Sequence, residues 1–248
     1  MKIYIRTQQL PLLLTAILVL LCAACSSGAT TNTVPKPTPT PAQPVSSQQI
    51  LAGPVTYVAL GASDAVGVGS NQPGSQGYVP LLAAHLPKGS HSVNLGISGI
   101  RLHEALTQEL PLALNTSPNL ITVWLVANDF VEGVPYDRYM QDLNTLLKQL
   151  RTSTKAHIVM ANLPDLTHLP AFANLSSDQK AKMLTQIKRW NASIATLTTR
   201  YNITQVDLFS RQSQLTTHPE YISGDGFHPS PAGYVQLSNY FWQAITGA

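Results

Sequence analysis

The stretch Val55-Thr56-Tyr57-Val58-Ala59-Leu60-Gly61-Ala62-Ser63-Asp64 carries the clearest structural signal in the chain. Its first six residues are apolar or β-branched and do not alternate strictly with polar ones, as in a parallel strand buried on both faces. Ser63 follows directly, beside a Gly. A Ser in that position sits on a tight strand-to-helix turn, either as a cap or with its hydroxyl presented for chemistry.

Further strand-like runs occur at Ser92–Leu95, Leu120–Val126, His157–Ala161 and Ile203–Val206. Helical spacing fills the intervals at Leu102–Leu110, Tyr139–Leu150 and Gln179–Thr199, and Ala232–Ile245 closes the chain. Alternation of this kind predicts an α/β fold, three-layer α/β/α around a central parallel sheet of about five strands. In such sheets reactive groups gather outside the carboxyl ends of the strands. The residues just after each strand are therefore the ones to read.

After the first run stands Ser63. After the second comes Asn94-Leu95-Gly96, where a glycine lets a backbone N–H approach a substrate or simply turns a loop. After the third comes Val126-Ala127-Asn128, whose side-chain amide is a donor or a cap. Near the end stands Asp225-Gly226-Phe227-His228-Pro229-Ser230-Pro231. Ser230 and Pro231 read as the N-cap and first position of the last helix, so His228 lies on a constrained turn just before it. A nucleophilic Ser needs a base, and the base needs an acid to fix its tautomer. Asp225 is close in sequence to His228, and Asp207 at the end of the fifth run competes for that role. Asp165, after the fourth run, reads as part of the cleft rim. The other six histidines, among them His103 and His168, have no metal-ligand spacing, and the three Trp residues read as packing.

Together these pieces resemble the four sequence blocks of the SGNH (GDSL-like) hydrolase family, in order, from about Val55 to Tyr240. The resemblance implies that family's flavodoxin-like fold and a serine esterase or lipase-like acyl hydrolase. Carried over, Ser63 is the nucleophile, His228 the general base and Asp225 its orienting acid. The oxyanion hole is the Ser63 N–H, the Gly96 N–H and the Asn128 side chain. The implied chemistry uses no metal and no cofactor, and the implied substrate is a small-molecule, lipid or carbohydrate ester. An acyltransferase with the same triad and a non-catalytic cell-surface binding domain are the alternatives. Two positions depart from the family pattern. The usual Gly-Asp-Ser is Gly61-Ala62-Ser63 with an acid at Asp64 instead, and Val126 stands where a Gly is usual. Activity is expected to fall at low pH, because a protonated His228 cannot accept a proton.

The N-terminus reads as an address. Lys2 and Arg6 precede an apolar run from Leu10 to Ala24, as in a secretory signal peptide. Leu21-Cys22-Ala23-Ala24-Cys25 resembles the bacterial lipobox, which implies lipidation at Cys25 and anchoring to a membrane. Residues 1–25 are thus expected to be a signal segment and 26–50 a Pro/Thr/Ser-rich linker, with the hydrolase-like domain at 51–248. In polyproline conformation, at about 3.1 Å per residue, that linker reaches roughly 80 Å. The expected location is extracytoplasmic, tethered or secreted.

Both cysteines precede residue 26, so the domain has no disulfide, no Cys metal site and no thiol nucleophile. The net charge of +3 includes Lys2 and Arg6, and falls to about +1 without the signal segment. No basic cluster supports nucleic-acid binding. The domain is expected to be a monomer.

Overall fold

The computed structural model describes residues 50–247. The signal-like segment, Cys25 and the linker lie outside the described residues. Five strands, β1 (Thr56–Gly61), β2 (His91–Asn94), β3 (Leu120–Trp124), β4 (His157–Ala161) and β5 (Thr204–Val206), form one sheet in the order β2-β1-β3-β4-β5. All neighbours pair in parallel. Every residue of β3 is buried, and so are all of β1 after Thr56. This explains why both read as continuous apolar runs. β2 is an edge strand, largely exposed, which explains its polar His91 and Asn94.

The helices are α1 (Ser63–Val66), α2 (Pro73–Gln76), α3 (Tyr78–Ala83), α4 (Leu102–Gln108), α5 (Leu110–Asn115), α6 (Ala127–Val131), α7 (Tyr136–Ser153), α8 (Ser177–Arg200), α9 (Gln212–Thr217) and α10 (Pro231–Thr246). α3 packs on α10, where Tyr78 stacks on Phe241 at 5.1 Å between ring centres, and α10 lies on β4 and β5. α7 packs against α4, α5 and α8, with Trp190 stacked on Tyr139 at 4.5 Å. The two groups cover the two faces of the sheet, giving the expected three layers. Fully burying a side chain such as Phe241 contributes up to about 3 kcal/mol. No disulfide supplements that packing among the described residues, since both cysteines precede them.

The topology locates the site. From β1 the chain moves outward to β2, then crosses back so that β3, β4 and β5 grow on the other side. The strand order reverses between β1 and β3, and the carboxyl ends of those two strands flank the crevice where such sheets bind ligands. Ser63 follows β1 and Asn128 follows β3.

Candidate active site

Ser63 is the first residue of α1 and is 5% exposed. Its Oγ lies 2.8 Å from Nε2 of His228, although 165 residues separate the two. On the far side of the ring, Nδ1 of His228 lies 2.7 Å from Oδ2 of Asp225. The other carboxylate oxygen of Asp225 accepts from the Ser223 hydroxyl at 2.8 Å and from the N–H groups of Phe227 and His228 at 2.8 and 2.9 Å. Partial burial pushes the Asp225 carboxyl up, but these donors together with the His228 ring outweigh it and hold the group well below the usual carboxylate range. Asp225 is therefore ionised at neutral pH and fixed at both oxygens.

His228 is placed by the turn that carries it. The Ser223 N–H donates to the His228 carbonyl at 2.8 Å, and Ile222 bridges to Pro229 in antiparallel fashion. Ser230 then caps α10, its Oγ accepting from the Gly233 N–H at 3.2 Å, and Pro231 opens the helix. Asp207 is turned elsewhere: it accepts from the Asn162 amide at 2.8 Å and the Ser210 N–H at 3.2 Å. Asp165 is buried and accepts from the Thr167 N–H at 3.0 Å, capping a short turn after β4.

The expected donors are the Ser63 N–H, the Asn128 side chain and the Gly96 N–H. The Ser63 N–H has no hydrogen-bond partner among the described residues. Asn128 donates one amide hydrogen from Nδ2 to the Ile100 carbonyl at 2.9 Å, which leaves its second hydrogen for another acceptor. The structure uses Gly96 differently from the expectation. Its N–H donates to Asn94 Oδ1 at 3.1 Å, and the Asn94 amide donates in turn to the Ala65 carbonyl. A Cβ on Gly96 would lie 2.6 Å from that of Ala65, so this glycine is needed for the close packing of the loop against α1. Three residues on, Gly99 occupies the turn closed by the Ile100 N–H and the Ile97 carbonyl, with φ +79° that favours glycine. Its N–H has no partner among the described residues, and it adjoins the carbonyl that holds Asn128.

Sequence reasoning passes over Asn94, Gly99 and Asp129. Asp129 is 2% exposed and accepts from the Leu102 N–H at 2.9 Å, tying the strand-three loop to α4. Burial pushes its carboxyl up to about 6. The available signal is its place beside Asn128 at a strand end. Asp64, the displaced acid, is also buried and raised to about 6: burial raises it, the nearby His228 lowers it, and Asp225 raises it further.

Asp64 also borders a half-open cavity of about 100 Å³ lined mostly by apolar residues, including Trp124, Leu166, Leu215 and Leu237, with Arg211, Gln214 and Gln236 among its polar ones. Asp64, Ala127 and Phe227, which line it, are the chain neighbours of Ser63, Asn128 and His228.

These features describe an α/β protein with a Ser, His and Asp in line at the switch point of a parallel sheet. Residues 59–236 match the sequence model of the GDSL-like Lipase/Acylhydrolase family, and the chain belongs to that family. That membership makes it a carboxylic-ester hydrolase of the SGNH type.

Among solved structures, the chain is similar to TesA, with 22% identity and a TM-score of 0.60 over 77% of this chain and 98% of that one. It is similar also to the acetylxylan esterase Axe2 from Geobacillus stearothermophilus, with 19% identity and a TM-score of 0.62 over 79% and 96% of the two chains. The psychrotrophic esterase EstA from Pseudoalteromonas sp. is 20% identical, with a TM-score of 0.59 over 77% and 97%. At these identities the likeness is one of fold. No curated protein sequence matches significantly.

Proposed function

We propose that this chain is an extracytoplasmic serine esterase, cleaving carboxylic esters through Ser63, His228 and Asp225 by way of an acyl-enzyme. The observation that carries the reading is the line of hydrogen bonds from Ser63 Oγ through His228 to Asp225, at 2.8 and 2.7 Å. With Nδ1 donating to Asp225, His228 presents a bare Nε2 to the hydroxyl. Ser63 Oγ attacks the ester carbonyl while its proton passes to Nε2. The tetrahedral intermediate collapses, the alcohol leaves with that proton, and Ser63 remains acylated. Water, deprotonated by the same Nε2, then attacks the acyl carbon, and the proton returns to Ser63 as the acid departs.

The charge that develops on the carbonyl oxygen is received by the Ser63 N–H, the free hydrogen of Asn128 and the Gly99 N–H. Gly99 takes the place expected of Gly96, whose N–H is engaged by Asn94. Preorganised donors of this kind typically carry the largest share of such catalysis. The apolar cavity beside Asp64 receives the apolar arm of the ester.

The purified protein is tested against p-nitrophenyl esters of increasing acyl length, alongside Ser63→Ala and His228→Ala and a fluorophosphonate probe. Turnover lost in both variants and labelling at Ser63 support the reading. A folded wild type that neither turns over nor labels sinks it.

The N-terminal segment supports an extracytoplasmic, lipid-anchored location through Cys25. Expression of the full chain with Cys25→Ser is then expected to move the protein from the membrane fraction to the soluble one. Equal distribution of both forms argues against the anchor.

A further inference from the structure

We infer that Glu109 is a positioning residue for this ester-cleaving site, its buried carboxyl fixing Gly61, the end of β1 to which the loop after β2 is bonded. This role rests on the catalytic reading of Ser63 given above, and goes beyond it by placing a further acid behind the oxyanion donors.

Glu109 stands between α4 and α5, with no exposed surface. Its backbone is held at both ends, its N–H donating to the Ala105 carbonyl at 3.0 Å and its carbonyl accepting from the Ala113 N–H at 2.9 Å. From there the side chain reaches the sheet, where Oε2 accepts from the Gly61 N–H at 3.1 Å. The register of β1 and β2 shows what this bond replaces. Leu95 N–H donates to the Ala59 carbonyl at 2.9 Å and Ile97 N–H to the Gly61 carbonyl at 3.1 Å, as in a parallel ladder. The regular partner of the Gly61 N–H in that ladder is the Leu95 carbonyl. Glu109 supplies the acceptor instead, at the point where the chain turns away from the sheet edge, while the Ile97 N–H is taken by the Gly61 carbonyl.

The position matters because of what lies on either side. Gly61 is two residues before Ser63. Ile97 opens the turn that contains Gly99 and ends at Ile100, whose carbonyl holds Asn128. The buried carboxyl therefore fixes Gly61, the residue through which the nucleophile's backbone and the turn that carries the other oxyanion donors are joined. No other side chain among the described residues hydrogen-bonds the Gly61 backbone.

The chemistry of the group follows from its surroundings. Its second oxygen, Oε1, is buried without a partner among the described residues. The titratable group that shares its surroundings is Tyr78 of α3, itself flanked by Tyr57 and Asp64, and none of these is a cation. A carboxylate so placed is costly, and burial pushes Glu109 up to about 8, so at neutral pH it is a neutral acid. Ionised, it would set a negative charge behind donors that must receive a developing oxyanion, and would oppose the charge they stabilise.

Two variants test this role, compared with wild type for kcat and KM on a short p-nitrophenyl ester between pH 6 and 9.5. Glu109→Leu removes the acceptor. It is expected to lower kcat about 10- to 100-fold, part of the loss seen when an oxyanion donor is deleted, with KM changed little. Glu109→Gln keeps an acceptor for Gly61 and cannot ionise. It is expected to recover most of what Leu loses, and to lack a decline in kcat that the wild type shows as pH rises through about 8. A folded Glu109→Leu with wild-type kcat overturns the inference while leaving the triad standing. So does a Glu109→Gln that declines at alkaline pH just as the wild type does, a result that can be read even if the Leu variant fails to fold. A wild type without turnover overturns this inference together with the catalytic reading.

Discussion

Replacing Asp225 by Asn probes the site with almost no change of shape. The three donors gathered on Oδ1, from Ser223, Phe227 and His228, fix which way a carboxamide must sit. Its oxygen stays with them, and its NH₂ takes the place of Oδ2, 2.7 Å from Nδ1 of His228. Two N–H groups cannot face each other at that distance, so the ring must give up the proton on Nδ1 and carry it on Nε2. That nitrogen is the one 2.8 Å from Ser63 Oγ, and protonated it can no longer accept. In serine proteases, whose fold is different, loss of the correct tautomer by the same substitution costs about 10⁴ in kcat. Here a fall of about 10³ to 10⁴ is expected, equivalent to about 4 to 5 kcal/mol of transition-state stabilisation. KM should change little, because Asp225 touches only the turn and the imidazole. The assay is steady-state hydrolysis of p-nitrophenyl acetate at pH 7.5, with circular dichroism to establish folding. A folded Asp225→Asn within tenfold of wild type would contradict this account, and would mean that another group orients His228.

Asn128→Ala is expected to lower kcat by about 10² to 10³, and to cost about 1 kcal/mol of stability as the Ile100 carbonyl loses its donor; kinetics and urea denaturation measure the two separately. Asp64 titrates near 6 in the folded state, above its unfolded value of about 3.9, so the folded protein binds more protons between those limits. Its contribution to stability is complete below about pH 4 and is lost as pH rises through about 6, at most about 3 kcal/mol. Asp64→Asn is expected to flatten that part of the decline in urea midpoint between pH 4.5 and 7.5, and an unchanged slope would count against a buried carboxyl there. Leu237→Trp, which fills the cavity wall beside the site, is expected to depress turnover of butyryl and longer esters more than of acetyl ones while fluorophosphonate still labels Ser63.

Much of this molecule is legible in one dimension because its signals are local. β1 and β3 are buried on both faces, so each is apolar apart from Thr56 and Thr122, the latter bonded to the Tyr57 hydroxyl, and the expected runs Val55–Leu60 and Leu120–Val126 differ from the observed strands by only one or two residues at their ends. The last helix announces itself by Ser230 and Pro231, chemistry that acts within three residues. The long helices run past the expected bounds, Tyr136–Ser153 against Tyr139–Leu150, because the apolar face ends before the hydrogen bonding does. α3 gives no such signal, since six residues with Pro80 among them carry too little periodicity to read.

The pattern of residues thus settles the alternation of strand and helix, and with it the strand ends where Ser63 and Asn128 must stand. The choices that remain are between groups alike in one dimension and distinguished only by their neighbours in space. Asp225 and Asp207 both follow plausible signals, but Asp207 is engaged by Asn162 and Ser210 while Asp225 meets His228. Gly96 and Gly99 lie in one loop, and only the Asn94 side chain, folded back on Gly96, leaves Gly99 as the donor without a partner among the described residues. Glu109 falls inside the expected helical run Leu102–Leu110, with nothing to mark it until the fold closes over it at Gly61. Burial and hydrogen bonding decide the chemistry of such groups, and both are properties of the packed chain, set by residues far apart along it.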